Sequence, residues 1–517
     1  MLARGGNAVD AAVAAAFASF IAEIGVVHLG GSGVAQVYVP AAGGQPAAST
    51  FYDFFSRMPG QAAKNRPEAL DFERVVIDFG PASQEFYLGH GSVAVPGNIA
   101  GLCQLAADYG RLPLPDLLAP AVQLAEKGVA LAPFQADTCL LLSPLYTHTA
   151  GMRRIFSPNG HMIRPGERLR LPDMARTLRA LAREGPEYAR TGALAEAFLA
   201  DQAANGGLLT AADLRHFEVR RSAPIEVAYR GFKVLLPGPS SSGGVLVAYS
   251  LLLLAAFDPR RFPYGSASHL ALLYEIMATV GRARPDWEQA LAALPAGEAV
   301  TAFLDPAGIE RRSQEVAAAL TAGRPSLAQA EALPPPDTSH LSVIDGQGMA
   351  VSLTTTAGES AGYVVPGTGF IPNNILGEAD LHPAGFHSRR PGEPIPTMMT
   401  PAVVLHNGQI RLVVGSGGSI RIRSAILQVL SNFLDYGFSL DGAVNAPRVH
   451  LEAGVLQCEF GTSQAAMERL AARGYPVNAW DKRSIYFGGA HSVAREPDGR
   501  LVAAGDDRRG GAVARVG

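Results

Sequence analysis

Threonine hydroxyls lie at both ends of the stretch PPPDTSHLSVIDGQGMAVSLTTT, residues 334–356. Thr338 follows three prolines and Asp337, and Thr356 closes the stretch. A threonine hydroxyl is a weak nucleophile near neutral pH, but a threonine at a chain N-terminus carries its own base, an α-amine with a pKa of roughly 7.7–8. This chemistry requires the bond between Asp337 and Thr338 to be cut, and a proline-stiffened loop suits such a cut. The alternative is that Thr338 is an ordinary residue at a strand edge.

The turn between the two strand-like runs fixes how their hydroxyls are paired. If residues 346–348 form the loop, Ile344 pairs with Ala350. Counting outward from that pair places Thr338 opposite Thr356. We therefore predict that two hydroxyls face each other across the open end of a β-hairpin, and a slip of one residue would undo this arrangement.

Other segments predict the elements that hold this hairpin. Residues 1–25 read as an alanine-rich buried helix, and residues 410–437 as a strand, a glycine-rich turn and a helix. Residues 288–336 are rich in alanine and proline and are the best candidate for a linker. The pattern favours sheets, including antiparallel hairpins, that are covered by helices.

Bulk composition excludes several classes of function. The chain has 517 residues and a net charge of −3, so it is long enough for two lobes or one large layered domain and has no basic excess for nucleic acid. The apolar run at residues 251–257 is too short to cross a membrane. Three widely spaced cysteines and the lack of an export signal favour the cytoplasm. His382 and His387 lack a third nearby ligand, so we expect neither a metal nor another cofactor.

Residues 338–345, Thr-Ser-His-Leu-Ser-Val-Ile-Asp, resemble the hallmark of the γ-glutamyltransferase family, which includes the γ-glutamyltranspeptidases or glutathione hydrolases. Further segments follow in the family's order: RGGNAVDAAVAAAF, AVPGNIAGL, PGPSSSGGV, VVPGTGFIPNN, GSGGSIRI and AVNAPRVH. The resemblance implies the α+β fold of N-terminal-nucleophile hydrolases, a four-layer αββα sandwich in which two stacked antiparallel sheets are covered by helices. It also implies a large part, residues 1–337, and a small part, residues 338–517, that stay associated as one intertwined catalytic domain after cleavage; a homodimer is left open.

The resemblance assigns the catalytic roles residue by residue. Thr338 becomes the nucleophile once the bond to Asp337 is cut, with its amine as general base, and Thr356 hydrogen-bonds it. The glycine turn supplies the backbone N–H groups that stabilise an oxyanion, from Gly417 and Gly418 or from Gly418 and Ser419. Without the resemblance this turn could be read as a phosphate cradle, but it lacks the lysine and hydroxyl that should follow.

The residues that would bind substrate depart from the family pattern. Phe55 stands at the position of an arginine that holds the substrate carboxylate, and Arg57 lies two residues further on. The remaining positions that differ are Gly358 for asparagine, Ile375 for glutamine, Glu378 for aspartate, and Thr397 and Met398 for a pair of serines. Several polar contacts for an α-amino acid are therefore missing, although Glu378 could receive an ammonium group and Arg57 a carboxylate.

These observations lead to one main expectation and two alternatives. The resemblance implies a self-processing hydrolase or acyltransferase that cleaves γ-glutamyl amides such as glutathione through an acyl-threonine ester. The first alternative is a family member that hydrolyses another small amide, oxamate-like or with an acyl side chain. The second is an inactive homologue that acts as a binding protein. In each case the partner is a small molecule.

Overall fold

The structure, a computed structural model, describes residues 1–63, 69–78, 83–326, 338–382 and 384–516. The helices are α1 (Ala8–Ala22), α2 (Asn98–Tyr109), α3 (Leu114–Lys127), α4 (Pro133–Leu141), α5 (Ser143–Tyr146), α6 (Ala150–Phe156), α7 (Pro172–Glu184), α8 (Glu187–Arg190), α9 (Ala193–Ala204), α10 (Ala211–Arg215), α11 (Ser242–Ala255), α12 (Ala267–Ala293), α13 (Ala296–Phe303), α14 (Pro306–Ala322), α15 (Ile422–Leu434), α16 (Leu440–Asn445) and α17 (Gln464–Ala471).

The strands are β1 (Ser32–Val39), β2 (Ala48–Phe54), β3 (Glu73–Asp78), β4 (Ser83–Leu88), β5 (Val129–Ala130), β6 (Arg168–Leu169), β7 (Arg220–Ser222), β8 (Ile225–Tyr229), β9 (Phe232–Leu236), β10 (Ser339–Ile344), β11 (Ala350–Thr356), β12 (Ala402–His406), β13 (Gln409–Gly417), β14 (Val449–Glu452), β15 (Val455–Cys458), β16 (Val477–Ala479), β17 (Gly489–Arg495) and β18 (Leu501–Ala504). The chain divides into two compact units. Unit 1 comprises Met1–Ser222, Pro334–Thr397 and Ala514–Gly517, and unit 2 comprises Ala223–Leu333 and Met398–Val513.

The N-terminal helix α1 forms as predicted, and a buried acid starts it. The Asn7 side chain accepts the backbone N–H groups of Val9 and Asp10, while the Asp10 carboxylate accepts the N–H of Asn7 at 2.8 Å. This reciprocal capping satisfies N–H groups that a helix start leaves unpaired. Asp10 also accepts the N–H of Arg111, so one carboxylate joins α1 to the loop after α2.

The main sheet of unit 1 is antiparallel, with the strand order β10-β11-β1-β2-β7. One face is apolar and packs with α1 in the hydrophobic core of the unit, where Ala35, Val37 and Leu353 are buried. The other face carries polar side chains, among them Gln36 and Ser352, and these are buried too. A strand with polar and apolar residues in alternation presents them to opposite faces.

The predicted hairpin and its register are confirmed. Ile344 pairs with Ala350, and the ladder of β10 and β11 continues to Ser339 opposite Thr355. Thr338 directly precedes Ser339 of β10, and Thr356 directly follows Thr355 of β11. Continuing the register by one position therefore brings Thr338 opposite Thr356.

Unit 2 contains an antiparallel sheet with the strand order β18-β17-β13-β12-β9-β8. The strand, turn and helix predicted for residues 410–437 are confirmed as β13, a short 3-10 turn at Ser419–Arg421, and α15. The turn needs glycine at Gly418, whose φ is 116° and where a side chain would lie 2.8 Å from the Gly488 backbone.

A buried ion-pair network sits beside the end of β18. Arg508 donates to Asp506 at 3.0 Å and to Glu459 at 2.5 Å, and Arg448 donates to the other oxygen of Asp506 at 2.6 Å. All four side chains are buried, so each charge is held by a partner of opposite sign. The segment at residues 506–509 therefore has a structural role through Asp506 and Arg508.

The predicted linker at residues 288–336 is wrong over its described part. α12 continues to Ala293, and α13 and α14 follow it as regular helices. Alanine has the highest helix propensity, and the prolines stand where a helix tolerates them: Pro295 is the N-cap of α13 and Pro306 is the first residue of α14. Residues 327–337, which include Asp337, lie outside the described residues.

Each compact unit contains segments from both sides of the predicted cut before Thr338, so the division into residues 1–337 and 338–517 stays a prediction about cleavage. The three cysteines are buried and free. Among the helices of the described residues, none has both the length and the apolar character needed to cross a membrane. In the same ranges, no three His, Cys, Asp or Glu side chains come together as metal ligands.

Candidate active site

A row of hydroxyl groups crosses the polar face of the unit 1 sheet at one end. Thr356 pairs with Ser32 of β1, and Thr338 is opposite Thr356 when the hairpin register is continued. Residues opposite each other in an antiparallel pair have side chains on the same face. Thr338 and Thr356 are 4% and 6% exposed. The row thus holds two threonine hydroxyls and one serine hydroxyl in a nearly dry environment.

The hairpin that carries Thr338 is fastened to both ends of α1. At the turn, the Asp345 carboxylate accepts the N–H of Ala8 at 3.0 Å and also the N–H groups of Gln347 and Met349. At the open end, the Ser339 hydroxyl donates to Glu23, the C-cap residue of α1, at 2.6 Å. The contact with Glu23 thus holds Ser339, the neighbour of Thr338, from the face of the sheet opposite to the hydroxyl row.

His340 belongs to the same polar face, two pairs inward from the hydroxyl row. Its Nδ1 lies 2.8 Å from Thr354 Oγ1 and its Nε2 lies 2.9 Å from Ser342 Oγ. Both ring nitrogens are therefore engaged by neighbouring hydroxyls, and the ring is buried. The contacts support packing beneath the hydroxyl row rather than action as a general base.

Thr356 is oriented by the loop that follows it. Its Oγ1 accepts the N–H of Gly358 at 3.1 Å, so the backbone of this loop fixes the direction of the side chain. Beside it, Ser32 Oγ accepts the N–H of Gly97 at 2.9 Å and lies 2.7 Å from Ser56 Oγ. Ser32 and Ser56 were missed by sequence reasoning, because only the sheet register brings them beside Thr356.

Phe55 and Arg57 lie at the end of β2 and have different environments. Phe55 directly follows the last residue of β2 and is buried, whereas the Ser32 hydroxyl has Ser56 as its neighbour. Arg57 is only 5% exposed, and its Nη1 donates to the Phe55 carbonyl at 2.8 Å. Its Nη2 contacts Asp53 Oδ2 at 3.2 Å.

Arg57 is therefore held inside its own loop. Burial lowers the pKa of its guanidinium, and the Asp53 carboxylate counteracts this effect. A substrate carboxylate would have to compete with Asp53 for the same guanidinium. Whether Arg57 binds substrate stays a prediction.

Gly358 occupies a niche that admits no side chain. Its φ is 65°, and a Cβ placed there would lie 2.1 Å from Glu378 Oε1 and 2.3 Å from Asn374 Oδ1. Asn374 Oδ1 is fixed by the N–H groups of Glu359 at 2.7 Å and Ser360 at 3.2 Å. The carboxylate of Glu378 and the amide of Asn374 thus fill the space at the position of the family's asparagine.

The other substrate-binding candidates are distributed between the two units. Ile375 is fully buried in unit 1, where its N–H is accepted by the Asn373 side chain at 3.2 Å. Thr397 ends a segment of unit 1 and Met398 begins a segment of unit 2; both are buried. Their roles in substrate binding stay predictions.

The candidate oxyanion residues belong to unit 2. Gly417 is the last residue of β13 and pairs with Gly489 of β17, while Ser416 Oγ donates to the Gly417 carbonyl at 2.8 Å. Gly418 and Ser419 both have positive φ, at 116° and 50°. The turn is rigidly built, and its part in catalysis stays a prediction.

The proteins that resemble this chain in structure are N-terminal-nucleophile hydrolases of α+β fold. The family model "Gamma-glutamyltranspeptidase" matches residues 1–516, and the chain belongs to this family. The members of this family are enzymes. The predicted fold class is confirmed.

Individual relatives carry two kinds of name. The Acylase ACY 1 proenzyme of Pseudomonas sp. (strain V22) is 34% identical over 512 residues, covering 98% of this chain and 88% of the relative. The Glutathione hydrolase proenzyme of Pseudomonas aeruginosa is 31% identical over 529 residues, covering 97% and 91%. The crystal structure of a cephalosporin acylase from Bacillus halodurans superposes with a TM-score of 0.81 at 24% identity, covering 99% of this chain and 92% of that one.

Proposed function

We propose that this chain is a self-processing amidohydrolase whose nucleophile is Thr338, freed as an N-terminus by cleavage after Asp337. The observation that carries the proposal is the hairpin register, which puts the Thr338 hydroxyl in one row with Thr356 and Ser32. The proenzyme names of the relatives support a cleavage step. We further propose that the two fragments stay together, because unit 1 contains the apolar core that joins the hairpin to α1.

Processing and catalysis use the same hydroxyl. In processing, Thr338 Oγ1 attacks the Asp337 carbonyl carbon and the C–N bond breaks, so the hydroxyl proton passes to the freed Thr338 amine and an ester remains on Oγ1. Water then hydrolyses this ester, which releases the Asp337 carboxylate and restores the Thr338 hydroxyl. In turnover, this amine takes the hydroxyl proton while Oγ1 attacks the substrate amide, and it then protonates the leaving amine. Water hydrolyses the acyl ester, or an amine accepts the acyl group. Backbone N–H groups of Gly417 and Gly418 are the proposed oxyanion donors.

The geometry supports an amide whose acyl part is largely apolar. Phe55, which directly follows β2, is a buried aromatic side chain, and Ile375 is a buried aliphatic one. Neither can hydrogen-bond the carboxylate or the ammonium of a γ-glutamyl group, and a charge left unpaired there would cost several kcal/mol. Arg57, the nearby cation, already has Asp53 as its partner. The acylase names of relatives at 34% identity agree with this choice.

A γ-glutamyl amide is the second candidate substrate, and Glu378 is the observation that favours it. This carboxylate is 3% exposed and lies against Gly358, the residue whose N–H orients Thr356. A buried carboxylate near the nucleophile could receive the substrate ammonium. The name of a relative at 31% identity, a glutathione hydrolase, also supports this candidate.

A denaturing gel tests the processing step. The wild-type chain should separate into two fragments, Thr338→Ser should do so too, and Thr338→Ala should stay intact. Thr321→Ala is a matched control because its hydroxyl is exposed and only caps a carbonyl within α14. A chain that stays whole in the wild type, or that is cut equally in Thr338→Ala, would refute self-processing by Thr338.

Three 4-nitroanilides that differ only in the acyl group separate the substrate candidates. The γ-glutamyl compound carries both charges, the glutaryl compound lacks the ammonium, and the butyryl compound lacks both. For an apolar acyl site, kcat/KM should be highest for butyryl, and Phe55→Arg should reduce it. If kcat/KM for the γ-glutamyl compound is about tenfold or more above that for the glutaryl compound, and Glu378→Gln removes this difference, the second candidate is correct.

A further inference from the structure

Unit 2 has a cavity of about 400 Å³ between the starts of two helices. The volume falls in the range of roughly 300–1,000 Å³ that is typical of small-molecule sites. Its walls come from the segment before α12, the start of α12 itself, and the segment that leads into α17. The described residues of the wall include no aspartate and no glutamate.

Both helices direct their N-termini to this cavity. Ser266 is the N-cap of α12 and Ser463 is the N-cap of α17, and both residues line the cavity. A helix N-terminus carries a partial positive charge from its aligned peptide dipoles. Arg469 also lines the cavity, and no described carboxylate forms an ion pair with it. The cavity wall is therefore positive.

His269 contributes a hydrogen-bond donor that nothing in the described chain uses. The ring is only 5% exposed, and its Nδ1 accepts the N–H of Gly265 at 3.2 Å. That bond fixes the tautomer with the proton on Nε2, and among the described residues Nε2 has no partner. Burial lowers the pKa of His269 to about 4, so the ring stays neutral and Nε2 keeps its proton at neutral pH.

Thr462 supplies a second unused polar atom, since its buried Oγ1 has no hydrogen-bond partner among the described residues. Leu270, Leu273, Pro447 and Val449 give the same space an apolar part, and the amide of Gln428, which also lines it, is hydrogen-bonded to backbone groups. Unused polar atoms in a buried wall cost free energy unless a ligand pairs with them. The wall thus combines donors and positive charge on one side with aliphatic carbon on the other.

We propose that this cavity binds a small carboxylic acid that carries an apolar group. The carboxylate would accept from His269 Nε2 and pair with Arg469, while the apolar group packs on Leu270 and Val449. The ligand class matches the kind of acid that amide hydrolysis releases, but the site belongs to unit 2 and uses none of the residues proposed for catalysis. Its existence does not depend on Thr338 being the nucleophile.

Titration with phenylacetate tests this site in the intact protein, with phenylacetamide as the uncharged isostere. Saturation-transfer NMR should show saturable binding of the acid that is tighter than any binding of the amide, and this difference should depend on Arg469. Arg469→Gln should weaken binding about fivefold or more, since a charge-assisted hydrogen bond is lost. Arg473→Gln is the matched control: it removes the same charge from a residue that does not line the cavity, and binding should not change.

Histidine ring signals locate the ligand. With 13C-labelled histidine, the His269 signal, identified by its loss in His269→Gln, should shift along the same titration curve. If His269→Gln does not fold, the Arg469→Gln and Arg473→Gln pair still decides the question. Equal affinities for these two variants, equal binding of acid and amide, or a His269 signal that does not move would each overturn the proposal.

Discussion

Replacing Gly358 with alanine tests the packing around the candidate nucleophile most directly. An alanine Cβ would lie 2.1 Å from Glu378 Oε1 and 2.3 Å from Asn374 Oδ1, both far inside van der Waals contact. The niche must therefore open, and the Asn374 amide must move away from the backbone N–H groups of Glu359 and Ser360, which it accepts at 2.7 and 3.2 Å.

Two contributions set the expected loss of stability. Alanine at a φ of 65° costs about 1–2 kcal/mol. Each buried N–H that loses its acceptor costs about 1–3 kcal/mol. The free energy of unfolding of Gly358→Ala should therefore fall by about 3–8 kcal/mol if both N–H groups are affected.

Gly367→Ala separates the two contributions. Gly367 also has a positive φ, 75°, but a Cβ there would meet nothing within 4 Å. Its loss should be limited to the backbone contribution of about 1–2 kcal/mol. Urea unfolding followed by circular dichroism gives both values. Equal losses for the two variants would show that the niche at Gly358 yields without breaking the Asn374 contacts, and the argument about this loop would be wrong.

Three other predictions concern the ion-pair network, the buried histidines and the hairpin fastening. Arg508→Met leaves the buried Glu459 carboxylate without its ion-pair partner, while Asp506 keeps Arg448, and it should lower the free energy of unfolding by about 3–5 kcal/mol. Arg500→Met, at an exposed ion pair, should change it little; equal urea midpoints would contradict this. Burial lowers the pKa to about 4 in four histidines, His28, His269, His382 and His491. The stability that these neutral rings contribute is fully present above the unfolded pKa of about 6.5 and is lost as pH falls toward 4. The free energy of unfolding should therefore be lower at pH 5 than at pH 7 by about 1–2 kcal/mol per histidine. A free energy of unfolding that does not change between these pH values would argue against neutral buried rings. Ser339→Ala removes the hydrogen bond to Glu23 and should slow the appearance of the two fragments about fivefold. Ser388→Ala changes an exposed serine that contacts only Gly385 and should leave this rate unchanged. An unchanged rate in Ser339→Ala would show that the hydrogen bond to Glu23 does not affect processing.

The sequence by itself determined the hairpin and the class of chemistry. The pairing of Ile344 with Ala350 follows from a turn of a few neighbouring residues, and strand periodicity then fixes every pair out to the hydroxyl row. The glycine turn before α15 was equally predictable, because only glycine fits the backbone at Gly418. Such features are local, so short segments carry enough information to specify them.

Helix formation at residues 288–322 shows where composition misleads. Alanine and proline together suggested a linker, but the prolines stand at helix starts, where their fixed φ is favourable. Position within the element decides what a proline does, and composition does not record position.

The tertiary structure decided the surroundings of Thr338, the candidate nucleophile. Ser32 and Ser56 are far from Thr338 in sequence, and only the strand order brings them to the hydroxyl row. The docking of α1 likewise brings Glu23 to Ser339, on the opposite face of the sheet. The same holds for Arg57, which the sequence left free to bind a substrate carboxylate and which the fold pairs with Asp53. Long-range contacts depend on how whole elements pack, so the hairpin that carries the candidate nucleophile could be predicted from its own segment, whereas the environment around Thr338 could not.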